Sequence, residues 1–427
     1  MTRSLAILPF SNLSRDPQHE FFTDGLAEDL TEALALAPGL RIAQWSSTRW
    51  FKGQHATPAE AGGKLGVSHV LEAGVRRGAG DVQVSARLFD VIENAQIWTG
   101  RYARPSSEML LLRGELIRGT IEGLGVEVPP AERRRVERIP TASARAYELY
   151  LEAHEFAAHL LRRSQESALD LFQQAVTADQ RFAEAHAGVA VCHAMIFQYW
   201  DSSAAQVAAA EEASARALAI APELAEARFA RGLALSLGKD YDAAEQEFAA
   251  AIAAKPAYYD AHYFLARTCR TRGRLEDAAR WFEAASRLRP EDYQSRQLLA
   301  SVYVGLGRPD DAKAIQVESL ELARRHLERY PDDARALYLG AGALASIGDS
   351  TRAREWAKRA LAMDPDDSAV LYNVACAYAM LGLHDSAIDC LEQALANGFG
   401  HWEWIEHDSD LDSLRKHPRF EALAAKR

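Results

Sequence analysis

The residues best suited to metal chemistry lie in the stretch HWEWIEHDSD, near the C-terminal end of the chain. The candidate ligands within it are its two imidazoles and two of its four carboxylates, those of His401, Glu403, His407 and Asp408. Side chains of both types bind divalent cations. The stretch connects a predicted helix to the last one, however, and it equally fits a charged turn beside the buried rings of Trp402 and Trp404. We favour the turn and predict no metal site.

Signatures of enzyme chemistry are absent from the rest of the sequence. It contains no G-x-x-x-x-G-K-[ST] loop, HExxH helix or G-x-S-x-G elbow. Three histidines, His186, His193 and His262, lie along predicted helices at no spacing typical of metal ligands. The four cysteines also fall in predicted helices and show no C-x-x-C spacing, which argues against disulfides and zinc. We therefore predict no enzymatic activity, no catalytic residue and no cofactor.

The elements that would position any site are helical repeats of fixed period. Pro222, Pro256 and Pro290 stand 34 residues apart. Small residues and a phenylalanine recur in step before the last two prolines: Gly232, Ala244, Phe248 and Ala251, then Ala266, Ala278, Phe282 and Ala285. Small residues allow two helices to cross closely, and proline ends the second helix of each pair. This pattern resembles that of the tetratricopeptide repeat.

The same register extends over most of the chain. It predicts about seven helix pairs over residues 143–400 and a capping helix region over 401–427. The second pair is about eight residues longer than the repeat period, so we expect longer helices or a bulged connection around YWDSSAAQ. The fifth is about seven residues longer, or two helical turns, so we expect a longer second helix there. The resemblance implies an all-α superhelical solenoid, whose last helix must be polar on its outer side.

Residues 1–126 have a different pattern, in which strands and helices alternate. The predicted order is strand, helix, strand, helix, three strands and helix, starting with the buried strand SLAILPF and a helix after Asp16-Pro17. Residues 69–75 and 82–88 alternate with a period of two on either side of a tight turn. The fold class is therefore α+β followed by all-α: a small mixed sheet with helices against it, then the repeats.

This first region resembles the TolB-like domain that bacteria fuse to tetratricopeptide arrays. The matching stretches are LAILPFSNLSRDPQHEFFTDGLAEDL, VSHVLEAGVRRGAGDVQVSARLFD and IWTGRYAR. In that family a nucleotide cyclase or a winged-helix DNA-binding domain often precedes this domain. Neither is found here, so we expect such an activity to come from a separate polypeptide. Residues 127–142 are charged and contain prolines, which indicates a linker in which Arg133–Arg135 are solvated.

Charge and hydropathy limit the partners and the location. The net charge is −11, and its acidic excess falls in the repeats. An acidic surface binds nucleic acid poorly, so we predict no nucleic-acid partner. No apolar run has the length of a membrane span or the flanks of a signal peptide. We expect a cytoplasmic protein without direct membrane insertion; exposed sheet edges permit a homodimer, which nothing in the sequence selects.

The tetratricopeptide resemblance also implies a concave groove lined by positions 2, 5, 9 and 12 of each first helix. That mapping gives candidate partner-binding residues: Phe229, Leu233, Tyr263, Arg267, Arg270, Gln297, Ser301, Tyr338 and Tyr372. An extended peptide or a helix would fit such a groove, with the arginines meeting a carboxylate. Alternatively, the same side chains only pack or stay hydrated. The family's clamp for chaperone tails needs asparagine at position 9 after a basic position 5, and it is absent.

Two functions follow from these patterns. The first is a non-enzymatic scaffold or adaptor that binds a protein or peptide partner of unknown identity in the groove. The alternative is a regulatory or sensor subunit, whose TolB-like domain binds a small ligand or docks a separately encoded cyclase or transcription factor.

Overall fold

A computed structural model describes residues 3–14, 16–78, 80–400 and 402–425, with only the backbone of Gln18, Glu403 and His407. Within these ranges the chain has a mixed sheet followed by helices arranged in consecutive pairs, which confirms the predicted fold class. It divides into two compact units. The first contains residues 1–192, 210–231 and 250–258, and the second contains residues 193–209, 232–249 and 259–427.

The sheet belongs to the first unit and has six strands. They are β1 (Arg3–Ile7), β2 (Ser11–Asn12), β3 (Leu40–Ile42), β4 (His69–Arg77), β5 (Asp81–Asp90) and β6 (Ala95–Pro105). Strand β1 pairs in parallel with β3 and β4, while β4, β5 and β6 form an antiparallel meander. Strand β2 continues the parallel pairing along β4. The order β3-β1-β4-β5-β6 is therefore mixed, as the sequence predicted.

The alternation of side chains along the strands decides which faces are covered. In β1, Leu5 and Ile7 enter one apolar core while Ala6 enters another on the opposite face. Both faces of β1 are therefore buried. Strand β5 instead buries its valines and exposes Gln83, Ser85 and Arg87, so its other face meets solvent. These patterns confirm the predicted period of two.

Five helices accompany the strands: α1 (Glu20–Leu34), α2 (Trp45–Thr48), α3 (Pro58–Leu65), α4 (Met109–Leu124) and α5 (Pro130–Val136). Helix α3 has a complete capping box at Thr57 and Glu60. Three details differ from the sequence predictions. The chain after Asp16 forms a 3-10 turn before α1 begins, the strand predicted over LRIAQW ends at Ile42, and β2 was not predicted.

The segment predicted as a linker is partly helical. It contains α5, whose Val136 is fully buried in the core of the first unit. The arginine run is largely exposed, as expected, but Arg135 donates a hydrogen bond to the carbonyl of Ala254, 3.0 Å away. Fixed contacts of this kind are a property of folded structure and not of a flexible connection.

Seven helix pairs follow within the described residues. They are α6 (Ala144–Ala157) with α7 (Arg162–Ala178), α8 (Ala183–Tyr199) with α9 (Ala204–Ile220), α10 (Ala225–Leu237) with α11 (Tyr241–Ala254), α12 (Tyr259–Thr271) with α13 (Leu275–Leu288), α14 (Gln294–Gly305) with α15 (Pro309–Arg329), α16 (Ala334–Ser346) with α17 (Ser350–Met363), and α18 (Ser368–Met380) with α19 (His384–Ala396). Helices α8 and α9 have 17 residues each and α15 has 21, so the expected long helices are present.

The region predicted as a capping helix is more broken than expected. It consists of α20 (Trp402–His407), a 3-10 helix over Ser409–Leu414 and α21 (Pro418–Ala424). Pro418 begins α21, because proline has no backbone N–H to donate within a continuing helix. None of the helices in the described part of the chain has the length and apolar character needed to cross a membrane.

Each unit has a large apolar core of its own. In the first unit, one continuous core joins Leu5 and Val84 of the sheet to Tyr147 of α6 and Phe172 of α7. The sheet and the first helix pair therefore fold as one packed body. The second unit has a core of alanines, leucines and rings that extends from Tyr293 and α15 to α21.

Candidate functional site

The most unusual polar group in the second unit is a set of two arginines surrounded by tyrosines. We call Arg267, Arg335, Tyr199, Tyr263 and Tyr338 the arginine–tyrosine cluster; all five belong to the second unit. Spacings of three and four residues bring side chains to one face of a helix. Helix α12 thus presents Tyr263 with Arg267, and α16 presents Arg335 with Tyr338. Tyr199 is the last residue of α8.

Both guanidinium groups donate hydrogen bonds to neutral acceptors. Arg335 donates to the side-chain oxygen of Gln294 at 2.6 Å and to the hydroxyls of Tyr338 at 2.8 Å and Tyr263 at 3.4 Å. Arg267 donates to the side-chain oxygen of Gln198 at 3.1 Å and to the Tyr199 hydroxyl at 3.3 Å.

Neither arginine has a carboxylate oxygen within 4 Å in the described ranges of the chain. Carboxylates are the stronger partners of guanidinium groups, because a charge-assisted hydrogen bond is about twice as strong as a neutral one. Among the described side chains, no acid therefore neutralises the positive charge of the cluster at contact distance.

The acidity of the surrounding tyrosines reflects this charge. Burial alone would raise the pKa of Tyr199, but Arg335 and Arg267 outweigh it, and the pKa lies below its ordinary value. For Tyr263, burial is the larger influence and the pKa is raised despite the same two arginines. Of these two hydroxyls, the one of Tyr199 is therefore the one whose pKa the two arginines hold below its ordinary value.

A cavity of about 280 Å³ adjoins Arg267. Among the described side chains, its walls combine rings, hydroxyls and two cations and include no acidic residue: Phe197, Gln198, Ser236, Leu237, Lys239, Tyr241, Phe264, Arg267, Thr268, Thr271, Gly400, Trp402 and Trp404. We call it the aromatic cavity. The guanidinium of Arg267 lies 5.1 Å from the Phe264 ring and 5.8 Å from the Trp404 ring. An anionic group carried on an apolar body matches these walls.

The predicted groove residues occupy several environments. Tyr263, Arg267 and Tyr338 lie in the arginine–tyrosine cluster. Arg270 and Ser301 are exposed, and the guanidinium of Arg270 donates to the Ser301 hydroxyl at 3.3 Å. Their use as partner-binding residues stays a prediction.

The remaining predicted residues pack against their own neighbours. Tyr372 stacks on Phe399 at 4.4 Å between ring centroids, and Leu233 is fully buried. Phe229 belongs to the first unit, where its ring lies 5.2 Å from that of Tyr258. Gln297 is half-buried, and its side-chain oxygen accepts a hydrogen bond from Ser319 at 3.4 Å.

Four residues of the site were missed from the sequence. Arg335 is the second residue of α16 and Gln294 is the first of α14, so the repeat register could have identified them. Gln198 and Tyr199 are the last two residues of α8. Tyr199 comes from the overlong second pair, and no rule of the repeat assigns a side chain at that point. The extra helical length was the one available signal.

The metal candidate falls mainly on residues that are not described. His401 lies outside the described residues, as do the side chains of Glu403 and His407. Asp408 accepts a hydrogen bond from the Tyr372 hydroxyl at 2.5 Å. In the described residues no group of three or more His, Cys, Asp or Glu side chains could hold a metal ion. The turn interpretation of this stretch stays a prediction.

Comparison with known proteins identifies the repeats. Models described as tetratricopeptide repeat match residues 236–293, 294–366 and 368–396. One curated relative, the putative adenylate cyclase 3 of Rhizobium meliloti (strain 1021), is 28% identical over 188 residues. That match covers 44% of this chain and 32% of the relative, so the chain spans about a third of the relative's length. The resemblance of residues 1–126 to the TolB-like domain stays a prediction.

Solved structures with similar folds include the APC/C hetero-tetramer Cut9-Hcn1, with 16% identity, coverage of 68% of this chain and 54% of that one, and a TM-score of 0.46. Pseudomonas aeruginosa pilF is 19% identical; the match covers 53% of this chain and 96% of pilF, with a TM-score of 0.36. A thermophilic TPR protein of Thermus thermophilus is 22% identical; the match covers 44% of this chain and 98% of that protein, with a TM-score of 0.36. On the evidence of the family models, the helix pairs between residues 236 and 396 are tetratricopeptide repeats.

Proposed function

We propose that the protein is a non-enzymatic scaffold that binds a protein or peptide partner in the groove along the first helices of its repeats. Tetratricopeptide repeats support a protein-interaction role. The observation that carries the finer proposal is the arginine–tyrosine cluster, whose two guanidinium groups donate hydrogen bonds to neutral acceptors within the described residues.

The chemistry of the cluster favours an acidic partner segment. A carboxylate that replaced the glutamine or tyrosine acceptors would convert neutral hydrogen bonds into charge-assisted ones. The aromatic cavity beside Arg267 would take an apolar side chain next to that carboxylate. The preferred ligand is therefore a peptide with an acidic residue followed or preceded by a large apolar one.

A displayed peptide library panned against the full-length protein would test this proposal. We expect enrichment of peptides that combine aspartate or glutamate with an apolar residue. Synthetic copies measured by fluorescence anisotropy should bind at least tenfold more weakly to Arg267→Gln, and their affinity should fall with added salt. Arg280→Gln is the matched control, because Arg280 is an exposed arginine of α13 paired with Asp277.

Equal binding by the wild type, Arg267→Gln and Arg280→Gln would contradict the proposal, as would enrichment of basic peptides. Circular dichroism of each variant separates a lost contact from a lost fold.

A second candidate is a regulatory role beside a separate enzyme or transcription factor. It is supported by the relative named putative adenylate cyclase 3, which matches part of this chain. In this case the sheet domain would dock a separately encoded cyclase or transcription factor, or bind a small ligand. Cyclase activity measured with a candidate cyclase alone and with the full chain added should then differ. Unchanged activity together with no complex on size-exclusion chromatography would exclude that cyclase as the partner.

A further inference from the structure

The first helix of the second pair is one turn longer than the first helices of the later pairs. Helix α8 has 17 residues, whereas α10, α12, α16 and α18 have 13 each and α14 has 12. When these helices are aligned at their starts, the additional residues of α8 are 196–199, about one helical turn. We call residues 196–199 the extra turn; they belong to the second unit. The later first helices have no counterpart of it, so its contacts are not part of the repeat register.

The extra turn and the next residue, Trp200, contact the first helices of three later pairs. The Tyr199 hydroxyl accepts a hydrogen bond from Arg267 of α12 at 3.3 Å. The guanidinium of Arg335 on α16 lies 5.3 Å from the Tyr199 ring. The indole N–H of Trp200 donates to a carboxylate oxygen of Asp367, the N-cap of α18, at 2.6 Å. Because Arg267 is one of the groove residues proposed above, the extra turn already occupies this part of the groove.

The connection that follows the extra turn is also closely packed. The Ser202 hydroxyl donates to the carbonyl of Phe197 at 3.1 Å, which ties the connection to the extra turn. A Cβ added at Gly400 would lie 2.7 Å from the Cβ of Ser202. Glycine at position 400 leaves room for this approach because it has no Cβ. A larger residue there would therefore push the connection away.

The extra turn does not fill the space beside α12. The aromatic cavity lies between them, lined by Phe197 and Gln198 of the extra turn and by Phe264 and Arg267 of α12. Side chains that face a void lack dispersion contacts on that side. The hydrogen bonds that Arg267 donates to the extra turn go to neutral oxygens, which are weaker acceptors than a carboxylate. An incoming acidic segment would therefore fill the space and supply the stronger acceptor.

We propose that the extra turn and Trp200 are an internal occupant of the groove, which an acidic partner must displace to reach Arg267 and Arg335. This role rests on the proposed function, because both concern the same groove. It adds a regulatory contact to that function: only molecules in which the extra turn has left the groove bind the partner. The apparent affinity is then lower than that of the open groove, in proportion to the fraction of open molecules.

Hydrogen exchange of the full-length protein, followed by mass spectrometry, tests whether the extra turn is released locally. Trp200→Phe keeps an aromatic ring but removes the N–H that donates to Asp367. We expect this variant to speed amide exchange over residues 196–203 at least tenfold and to leave exchange in α13 and α17 unchanged. The matched control is Trp281→Phe, at a half-buried tryptophan of α13, which should not alter exchange over residues 196–203. Unchanged exchange in Trp200→Phe, or an equal rise throughout the second unit, would overturn the proposal.

A labelled peptide that copies residues 193–203, HAMIFQYWDSS, tests whether the groove recognises this segment. Fluorescence anisotropy should show that it binds the double variant Tyr199→Ala/Trp200→Ala at least tenfold more tightly than the wild type, because the internal copy no longer competes. Adding Arg267→Gln to the double variant should remove that gain. A peptide that itself carries Tyr199→Ala and Trp200→Ala should show no gain either.

Equal binding by the wild type and the double variant, or no binding by the double variant, would overturn the proposal. Circular dichroism shows whether the double variant folds. If it does not, Gly400→Ala takes its place, because the added Cβ displaces Ser202 and leaves the cations of the groove intact. An affinity of Gly400→Ala equal to that of the wild type would then overturn the proposal. Because the probe is a copy of this chain, failure of the panned peptides to bind leaves this result unaffected.

Discussion

Two buried cations of the first unit and two of the second have different partners. In the first unit, Arg113 pairs with Asp29 and Lys255 pairs with Glu226. In the second, the hydrogen bonds that Arg267 and Arg335 donate within the described residues go to amide and hydroxyl oxygens. Glu226 and Arg335 occupy the same position, the second of the first helix, in the third and the sixth pairs. The same repeat position therefore carries an acid paired with a lysine in the first unit. In the second unit it carries an arginine that has no acidic partner among the described side chains.

This difference indicates separate roles for the two sets of charges. Paired charges such as Arg113–Asp29 fix the packing of the first unit, because removing either partner leaves the other buried without compensation. Arg267 and Arg335 of the second unit already have neutral partners, so a stronger acceptor improves their interactions. The predictions below test this contrast from the largest expected effect to the smallest.

Removal of a paired charge in the first unit should have the largest effect. Asp29 accepts two hydrogen bonds from Arg113 and one from the Tyr147 hydroxyl at 2.5 Å. We expect Asp29→Ala to lower the free energy of unfolding by about 3–5 kcal/mol in urea denaturation, since Arg113 stays buried. Asp277→Ala removes an exposed pair with Arg280 and should cost less than about 1 kcal/mol. Similar decreases in the free energy of unfolding for Asp29→Ala and Asp277→Ala would show that the buried pair is no more important for stability than the exposed one.

Acid should weaken the first unit through His154. Burial lowers the pKa of this imidazole to about 4, against the opposing influence of Asp29 and Glu226 and with a small contribution from Lys255. Its ring packs 4.4 Å from Tyr150 and 5.4 Å from Phe172.

Because the unfolded chain binds the proton at higher pH, this contribution is complete above about pH 6.5 and is lost as the pH falls towards 4. The loss has an upper limit of roughly 3 kcal/mol, at 1.36 kcal/mol for each pH unit between the two pKa values. Urea denaturation between pH 4 and 8 measures it. His154→Gln should flatten this slope, whereas His55→Gln, in an exposed connection, should leave it unchanged.

Close helix packing in the second unit can be broken without touching its charges. A Cβ added at Gly340 of α16 would lie 2.2 Å from the ring of Trp356 in α17. We expect Gly340→Ala to lower the free energy of unfolding by about 1–3 kcal/mol, because the ring must move. Gly342 has no atom within 4 Å of such a Cβ. Gly342→Ala should therefore be neutral or stabilising by up to about 1 kcal/mol, and destabilisation by both would contradict this account.

The smallest effect concerns a turn. Gly273, Gly307, Gly348 and Gly382 join the helices of four pairs with φ between +69° and +85°, and Lys239 occupies the same place in the third pair with φ +64°. A non-glycine residue in this conformation costs about 1 kcal/mol. Lys239→Gly should raise the free energy of unfolding by that amount, and Gly273→Ala should lower it similarly. A stabilised Gly273→Ala variant would show that these turns are not under this constraint.

Much of the fold could be predicted because its signals are local. Ala244 and Phe248 are fully buried where the register placed them, and the excess length between Pro290 and Pro331 appears as the 21-residue α15. Period-two alternation likewise identified β5. The candidate site was only partly predictable. The register located Arg267 and Tyr263, but nothing local in the sequence indicated that Tyr199 would lie beside Arg267.

The sequence alone determined the type and order of the elements, since small residues at helix crossings, glycine in turns and proline at helix ends act over a few neighbours. The tertiary structure decided which elements share a core and which charges meet. Residues 127–142 were predicted as a linker from composition, yet α5 packs Val136 into the core of the first unit. The pairing of Lys255 with Glu32 and Glu226 has the same origin, because burial and neutralisation depend on residues far apart in the chain.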